Sequence, residues 1–475
     1  MKIKQTQVIS GLAFVSGMVL MVFELVAARL LAPTIGSSTY VWTSVIGVII
    51  AMLALGVWLG GRLADKRGQL ADIAMLLLAA AGAVVLVLLV AVPFLEGLAQ
   101  FSFDPRIKGV VASILLFAPT SFVLGMIGPY LAKLQVYSLK HTGRLIASID
   151  AMNALGGIFG TFMTGFVLFA IMGSSHILTA LVIVLVAISW VVSPGSLFKV
   201  RVFLSLGIVL IALTSSLVQR DMHIDTATAH YVVADSKTPR GQTIRLISTG
   251  PGGYQSGIDI AQPDSLLFWY TEEIASVVDQ LEQRDRILIL GGGTYTLPRY
   301  LANKYPSSQV DVVEIDPALV DIARKYFFFQ PVDNLQIISE DARVYVDTTS
   351  QKYDIVVVDV YSDSEVPFSV LTKQYGQSIR RIVQSGGRVI ANIIASESKQ
   401  CQDFLQASFR PYIDNFSIGV YRKYLKADYR SNIIAVFGDS IVDFGAEYVS
   451  VPFAKGPVYT DDFAPAEALQ FRCAN

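Results

Sequence analysis

The sequence predicts two structural classes in one chain: a multi-span α-helical membrane bundle, followed by an α/β domain with a small β region before it. Residues 1–220 contain long apolar runs, whereas residues 266–475 alternate apolar strands with helices. Short strands separated by turns are indicated within residues 221–265. We therefore expect a transmembrane bundle over 1–220, a small β region over 221–265 and an α/β domain over 266–475.

Charge is divided unevenly between the two parts of this 475-residue chain. Residues 1–220 carry 14 Lys and Arg against 6 Asp and Glu, and residues 221–475 carry 23 against 32. A sparsely charged, basic first part fits a membrane region, and an acidic second part fits a water-exposed domain. Because nucleic acid binds to basic surfaces, we expect no nucleic-acid partner.

The apolar runs of the first part are long enough to cross a bilayer, which takes about 20 mainly apolar residues. Short polar connections separate most of them, so we expect a multi-pass protein of the cell membrane with the lipid bilayer as a partner. Seven runs lie near residues 8–31, 42–61, 71–95, 109–132, 145–170, 176–193 and 202–219.

Lys and Arg in the short loops predict the orientation, because cytoplasmic loops carry an excess of both. In a seven-span bundle the basic loops fall on the side of the N-terminus, and the opposite loops hold little beyond Arg106 and Lys108. The N-terminus is therefore expected in the cytoplasm. Seven spans would place the α/β domain outside and six would place it inside, so its side stays open.

Four histidines and two cysteines give no cluster with metal-ligand spacing, so no metal is expected. Cys401 and Cys473 both lie in the second part of the chain. We expect two ordinary free thiols, with a disulfide as the alternative if this part faces an oxidising compartment.

A glycine triplet follows the first apolar strand of the α/β domain. Ile287–Leu290 leads into Gly291, Gly292 and Gly293, a helix follows, and the next apolar strand ends on Glu314. Glycines allow a sharp turn and a close approach to a ligand, and an acid about 20 residues further on can accept two ribose hydroxyls. This pattern predicts a nucleoside-binding unit of a Rossmann-like fold.

Two more acids follow later strands. Asp341 comes after the strand at 334–338, and Asp359 ends the apolar run that begins at Tyr353. Ligands of parallel sheets bind beyond the carboxyl ends of the strands. Asp341 with the backbone of Ala342 suits adenine, and Asp359 suits the acceptance of a proton from a nucleophile. The alternative is that each Asp only caps the next helix or turn.

The chain resembles the spermidine synthase (polyamine aminopropyltransferase) family in its membrane-fused form. The resemblance implies an enzyme that transfers an aminopropyl group from decarboxylated S-adenosylmethionine to a small-molecule amine such as putrescine, with release of methylthioadenosine. It implies that Asp359 accepts the proton, Glu314 binds ribose and Asp341 with Ala342 contacts adenine. Looser matches place Gln255, Tyr270 and Pro367 in the pocket. The motifs that carry it are Phe23–Pro33, Tyr40–Trp42, Gly56–Asp65, the glycine loop, Glu314–Pro317, Asp341–Ala342, Asp359 and Tyr459–Pro465.

Three positions depart from the family pattern around the amine. Thr294 stands where soluble members have an Asp, and Thr271 stands where the family has His or Gln. The family's second acid, three residues beyond the catalytic one, is matched at best by Asp363, four residues beyond. We expect Tyr270, Thr294, Tyr361 and Asp363 to bind the amine, and these departures put the use of putrescine in question.

Two other functions stay open. One is a methyltransferase that uses intact S-adenosylmethionine, because loss of the acid at Thr294 would relax selection for the decarboxylated form. The other is a non-catalytic polyamine or nucleoside sensor, or a transporter. The acceptor amine and the oligomeric state are not readable from the sequence, and a homo-oligomer is left open.

Overall fold

The computed structural model describes residues 2–36, 38–101, 104–135, 142–193, 198–217, 223–250, 253–361, 366–422, 430–440, 442–452 and 458–474. The chain divides into two compact units, Met1–Val232 and Val233–Asn475. The domain bounds drawn from the sequence stay predictions, because compactness alone does not test them.

The first unit consists almost entirely of helices. A short π-helical segment, Thr164–Leu168, directly follows the helix Thr142–Met163. The helices are α1 (Lys2–Ile35), α2 (Thr39–Lys66), α3 (Leu70–Ala99), α4 (Pro105–Leu116), α5 (Ala118–Gln135), α6 (Thr142–Met163), α7 (Phe169–Ile171), α8 (Ser174–Val192) and α9 (Phe198–Leu217).

Within the described residues, six helices are long and apolar enough to cross a bilayer, or seven spans if α4 and α5 count as one. The last two, α8 and α9, have 19 and 20 residues. At about 1.5 Å per residue they reach roughly 28–30 Å, the thickness of a bilayer's hydrocarbon core. Both α8 and α9 are therefore long enough to cross the bilayer.

The fourth expected span, 109–132, is not one continuous helix. It is broken at Phe117, where α4 and α5 meet at a bend of 55°. On either side of the break, the Ser113 and Ser121 hydroxyls donate to the carbonyls of the residues four positions earlier, at 2.7 and 3.0 Å. Such bonds compete with the helix's own bonds and favour bending, and buried Phe117 packs edge-on against Phe23.

Small residues let α2 and α5 approach closely. A Cβ atom on Gly56 would lie 2.1 Å from the Phe122 carbonyl oxygen, and one on Gly60 would lie 2.7 Å from the Met126 Cα. Such contacts are typical of membrane helices, which associate through close van der Waals packing.

The second unit contains the α/β structure, and β1 and β2 lead into it. β1 pairs antiparallel with β2, and β3 pairs antiparallel with β4. The strands are β1 (His223–Asp225), β2 (His230–Lys237), β3 (Thr243–Ser248), β4 (Ser256–Asp259), β5 (Arg286–Leu290), β6 (Gln309–Glu314), β7 (Leu335–Ser339), β8 (Tyr353–Val358), β9 (Val383–Ala395), β10 (Ile418–Arg422), β11 (Ser431–Gly438) and β12 (Tyr448–Ser450).

The larger sheet has the strand order β12-β10-β11-β9-β8-β5-β6-β7. Strands β9, β8, β5, β6 and β7 pair in parallel, and the other three extend the sheet antiparallel. The helices between them are α10 (Trp269–Asp279), α11 (Thr296–Lys304), α12 (Leu319–Tyr326), α13 (Ala342–Thr348), α14 (Lys373–Ile382), α15 (Gln402–Ile413) and α16 (Ala466–Ala474).

Every residue of the central strand β8 is buried, as expected of a strand covered on both faces. The predicted fold class, a helical bundle followed by a Rossmann-like α/β domain, is confirmed.

The expectation of two free thiols is wrong. Cys401, directly before α15, forms a disulfide with Cys473 in α16, and both residues are buried. The two cysteines lie 72 positions apart. The sequence does not reveal that the helices carrying them pack together, so it gave no reason to pair them.

Candidate active site

The register of the parallel strands brings the predicted site residues to one edge of the sheet. Leu290 of β5 pairs with Val358 of β8 and with Val313 of β6. Gly291, Asp359 and Glu314 come next in the chain, so they lie side by side at the strands' carboxyl ends. This edge is where open parallel sheets bind their ligands.

The glycine loop is held tightly between its neighbours. Gly291 has a φ of +98°, and a Cβ atom there would lie 2.1 Å from the Asp359 carbonyl oxygen. The Gly291 N–H donates to the Val313 carbonyl at 2.9 Å. Only glycine fits this position without displacing the backbone that carries Asp359.

Glu314 faces the same loop. Its Oε2 accepts a hydrogen bond from the Gly292 N–H at 2.8 Å, and its Oε1 accepts one from the Asp316 N–H at 3.1 Å. The side chain is buried, and burial raises the pKa of its carboxyl group, although these backbone bonds oppose the increase. Glu314 therefore both fixes the loop and presents carboxylate lone pairs at the edge of the sheet.

Asp359 has a strongly perturbed carboxyl group. Burial raises its pKa from 3.8 to about 6; a hydrogen bond from Asn392 opposes this increase, and the nearby negative charge of Glu314 adds to it. The Asn392 Nδ2 donates to the Asp359 Oδ1 at 2.7 Å. Such a pKa suits a group that exchanges protons near neutral pH.

Asn392 is the functional residue that sequence reasoning missed. It is 5% exposed, and its Oδ1 accepts no hydrogen bond from any residue that the structure describes. A polar side chain within the apolar strand β9, whose Ala391 pairs with Val358, was the signal that could have identified it.

Two tyrosines lie close enough to Asp359 for its charge to raise the pKa of both hydroxyls, after the larger effect of burial. The Tyr270 hydroxyl donates to the Gln255 carbonyl at 3.3 Å. The Tyr361 hydroxyl donates to the Asn392 carbonyl at 2.7 Å and accepts from the Ile394 N–H at 2.8 Å. Tyr361 therefore anchors the segment after Asp359 to β9.

Neutral hydroxyls occupy two of the three positions that depart from the family pattern. Thr294 is 1% exposed, and its hydroxyl lies 2.5 Å from that of Ser256. Thr271 is buried and donates to the Phe268 carbonyl at 2.6 Å. Both threonines are thus engaged within the protein and bring no charge to the site.

The remaining predicted residues lie at the edge of the sheet or near it. Asp341 is exposed and caps α13: its Oδ1 accepts from the Arg343 and Val344 N–H groups at 2.8 and 3.1 Å. Ala342, the first residue of α13, is buried, and partly buried Pro367 precedes a short 3₁₀ helix. Asp363 lies outside the described residues. The structure thus supports the capping role of Asp341, and its role toward adenine stays a prediction.

The part of the chain that contains most of this site is similar to known proteins. Residues 267–423 match the model of the spermine/spermidine synthase domain. A polyamine aminopropyltransferase from Vibrio vulnificus is 34% identical over 135 residues, which cover 28% of this chain and 44% of that protein. An eEF1A lysine and N-terminal methyltransferase from Xenopus laevis is 27% identical over 122 residues, which cover 24% of this chain and 18% of that protein.

Among solved structures, a probable spermidine synthase from Corynebacterium glutamicum is similar, with 25% identity and a TM-score of 0.40 over 46% of this chain and 81% of that chain. The sequence match spans less than half of the Vibrio relative's length. Residues 267–423 of this chain therefore match a spermine/spermidine synthase domain, and part of the chain is similar in sequence to polyamine aminopropyltransferases.

Proposed function

We propose that this chain transfers an aminopropyl group from decarboxylated S-adenosylmethionine to a small-molecule amine. The observation that carries the proposal is Asp359, whose pKa of about 6 and position beside the glycine loop suit a proton acceptor at a nucleoside site. The family of residues 267–423 supports the same chemistry.

The reaction needs one carbon–nitrogen bond to form and one carbon–sulfur bond to break. The amine nitrogen attacks the propyl carbon beside the sulfonium, and the electron pair of the broken bond stays on sulfur in methylthioadenosine. Asp359 accepts the proton that the nitrogen loses. Above a pH of about 6 the Asp359 carboxyl is mostly ionised and ready for this role.

Nucleoside binding falls to the glycine loop and the two other acids. The absence of side chains on Gly291–Gly293 lets a ligand approach the backbone, and the Glu314 carboxylate has lone pairs beyond those used by its backbone bonds that can accept a ribose hydroxyl. Both capping bonds of Asp341 go to Oδ1, so Oδ2 is available to the adenine amino group.

Methyl transfer from intact S-adenosylmethionine is the second candidate function. Thr294 and Ser256 form a neutral hydroxyl pair where soluble family members place a carboxylate for the cosubstrate's ammonium group. A neutral pair selects less strongly for the decarboxylated cosubstrate, which lacks the carboxylate of the intact form and is therefore the more positively charged of the two. Asp359 could accept a proton in either reaction.

We further propose that the first unit lies in the cell membrane with the N-terminus in the cytoplasm. Its apolar helices reach the required length, and the loop charges favour this orientation. The bilayer is then a permanent partner of the chain.

Mass spectrometry of the products tests the proposed function. Detergent-purified full chain receives both forms of the cosubstrate with a mixed pool of amines. Methylthioadenosine with a propylamine-extended product is expected, whereas S-adenosylhomocysteine would indicate methyl transfer. If neither product forms but nucleoside binding is measurable, a sensor or a transport module would be favoured.

The matched variant is Asp359→Asn, which keeps the side chain's size and removes its basic group. We expect turnover to be lost while binding of methylthioadenosine is retained. Turnover equal to that of the unaltered chain would exclude Asp359 from the mechanism.

A further inference from the structure

We propose that the synthase domain works on the non-cytoplasmic side of the membrane, where its two cysteines are oxidised. Two sets of observations that share no residue support this proposal. One concerns how often the chain crosses the membrane, and the other concerns the disulfide.

The bent pair α4–α5 crosses the bilayer once, because it accompanies α2 from one end to the other. Near the start of α2, a Cβ atom on Gly109 would lie 3.1 Å from the Ser44 hydroxyl oxygen. In the middle, one on Gly125 would lie 2.5 Å from the Leu53 carbonyl oxygen. At the far end, the Lys133 ammonium pairs with Asp65 at 2.9 Å.

These three contacts run in the same order along both segments, so α4–α5 is parallel to α2 and as long. A re-entrant loop would have returned to the end from which it started. Because α2 is long and apolar enough to be a full span, we infer that the pair is a full span as well. The first unit therefore crosses the membrane seven times.

The loop charges discriminate clearly between seven and six crossings. With seven, ten of the 14 Lys and Arg of residues 1–220 fall on the side of the N-terminus and four on the other side; with six, in which α4–α5 does not cross, the division is six against eight. The ten are Lys2, Lys4, Arg62, Lys66, Arg67, Lys133, Lys140, Arg144, Lys199 and Arg201, and the four are Arg29, Arg106, Lys108 and Arg220.

Seven crossings give a clear excess of basic residues on one side, as cytoplasmic loops show, whereas six crossings leave the two sides nearly equal. An odd number of crossings places the chain after α9 on the side opposite the N-terminus. With the N-terminus in the cytoplasm, the synthase domain follows on the other side.

The disulfide gives the second, independent reason. Cys401 and Cys473 are the only cysteines of the sequence, and they are bonded to each other inside the domain. Disulfides persist in oxidising compartments, whereas cytosolic thiols are kept reduced. A buried bond between the only two cysteines is typical of a structural disulfide.

Combined with the proposed function, this location has one chemical consequence. The cosubstrate's sulfonium is a fixed positive charge and does not cross a bilayer's hydrocarbon core unaided. A carrier must therefore bring it to the domain, and the acceptor amine must be one that is present outside the cytoplasm. The location itself is tested below without any measurement of turnover.

The first experiment traps the thiol state of the unaltered full chain in growing cells. Cells are lysed in denaturant with a polyethylene glycol maleimide, with and without prior reduction. We expect a gel shift of two attached polymers only after reduction. Two attached polymers without reduction would overturn the proposal.

The second experiment maps the side of the membrane in a chain carrying Cys401→Ser and Cys473→Ser. Glu282→Cys, at an exposed site of the synthase domain, is added in one variant, and Lys66→Cys, at the exposed end of α2, in the other. In sealed cells, a membrane-impermeant maleimide should label the Glu282→Cys variant and should not label the Lys66→Cys variant. The reverse pattern would overturn the proposal.

Loss of the disulfide could prevent folding, so fusions to the unaltered chain provide a further check. Alkaline phosphatase fused to the C-terminus should be active, and green fluorescent protein fused there in a separate chain should not fluoresce. A bright fluorescent fusion with an inactive phosphatase fusion would place the domain in the cytoplasm.

Discussion

Replacing Asn392 by Leu should move the pH dependence of the reaction. Leu has nearly the shape of Asn but cannot donate the 2.7 Å hydrogen bond to the Asp359 Oδ1. That bond favours the ionised carboxylate, so its loss raises the pKa of Asp359. The pKa now lies at about 6, so ionisation would then need a higher pH.

The magnitude follows from the strength of the bond. A hydrogen bond to a charged group contributes about 1.5–3 kcal/mol, and one pKa unit corresponds to about 1.4 kcal/mol. The pKa of Asp359 should therefore increase by roughly 1–2 units.

The assay is kcat/KM for aminopropyl transfer as a function of pH, because this ratio reports the ionisation of the free enzyme. The acidic limb of the pH profile should move to higher pH by that number of units, and much of the rate should be recovered at high pH. Asn415→Leu is the matched control, since the Asn415 Nδ2 donates to the Pro411 carbonyl and not to Asp359. An acidic limb that stays in place in Asn392→Leu would refute the reasoning.

Three further perturbations test other parts of the account. Glu314→Gln removes a negative charge that raises the pKa of Asp359, so the acidic limb of the pH profile should move to lower pH. The KM for the cosubstrate should increase roughly tenfold or more, because a charged hydrogen-bond acceptor is lost. An unchanged KM would exclude Glu314 from ribose binding. Gly291→Ala places a Cβ atom 2.1 Å from the Asp359 carbonyl oxygen, at a residue whose φ is +98°. Denaturant titration should show a free energy of unfolding that is lower by roughly 2–5 kcal/mol, and the variant should have little turnover. A variant that is as stable and as active as the unaltered chain would contradict the loop geometry. Reduction of the Cys401–Cys473 disulfide, which closes a loop of 72 positions, should lower the domain's free energy of unfolding by about 4 kcal/mol, and an unchanged midpoint after verified reduction would contradict this value.

Much of the site could be predicted because parallel sheets impose a simple rule. Residues that follow buried strands meet at one edge, so Gly291, Glu314 and Asp359 could be placed together from local patterns alone. The apolar runs of the first unit were equally readable, since each helix must be apolar along the length of a bilayer.

The features that could not be predicted from the sequence depend on contacts between segments that are distant in the chain. The hydroxyl bonds of Ser113 and Ser121 flank the bend at Phe117 and favour it, but serine is common in straight membrane helices too. The disulfide needs α15 and α16 to pack together. Asn392 reaches Asp359 only because β9 pairs with β8, which no local pattern states.

The most direct test of the central claim follows the aminopropyl carbons themselves. Purified full chain is given decarboxylated S-adenosylmethionine labelled with ¹³C in the aminopropyl group, together with a pool of amines. We expect the label to appear on an amine, with one methylthioadenosine released for each transfer and none released by the Asp359→Asn variant. Label that remains in the nucleoside while an amine becomes methylated would contradict it.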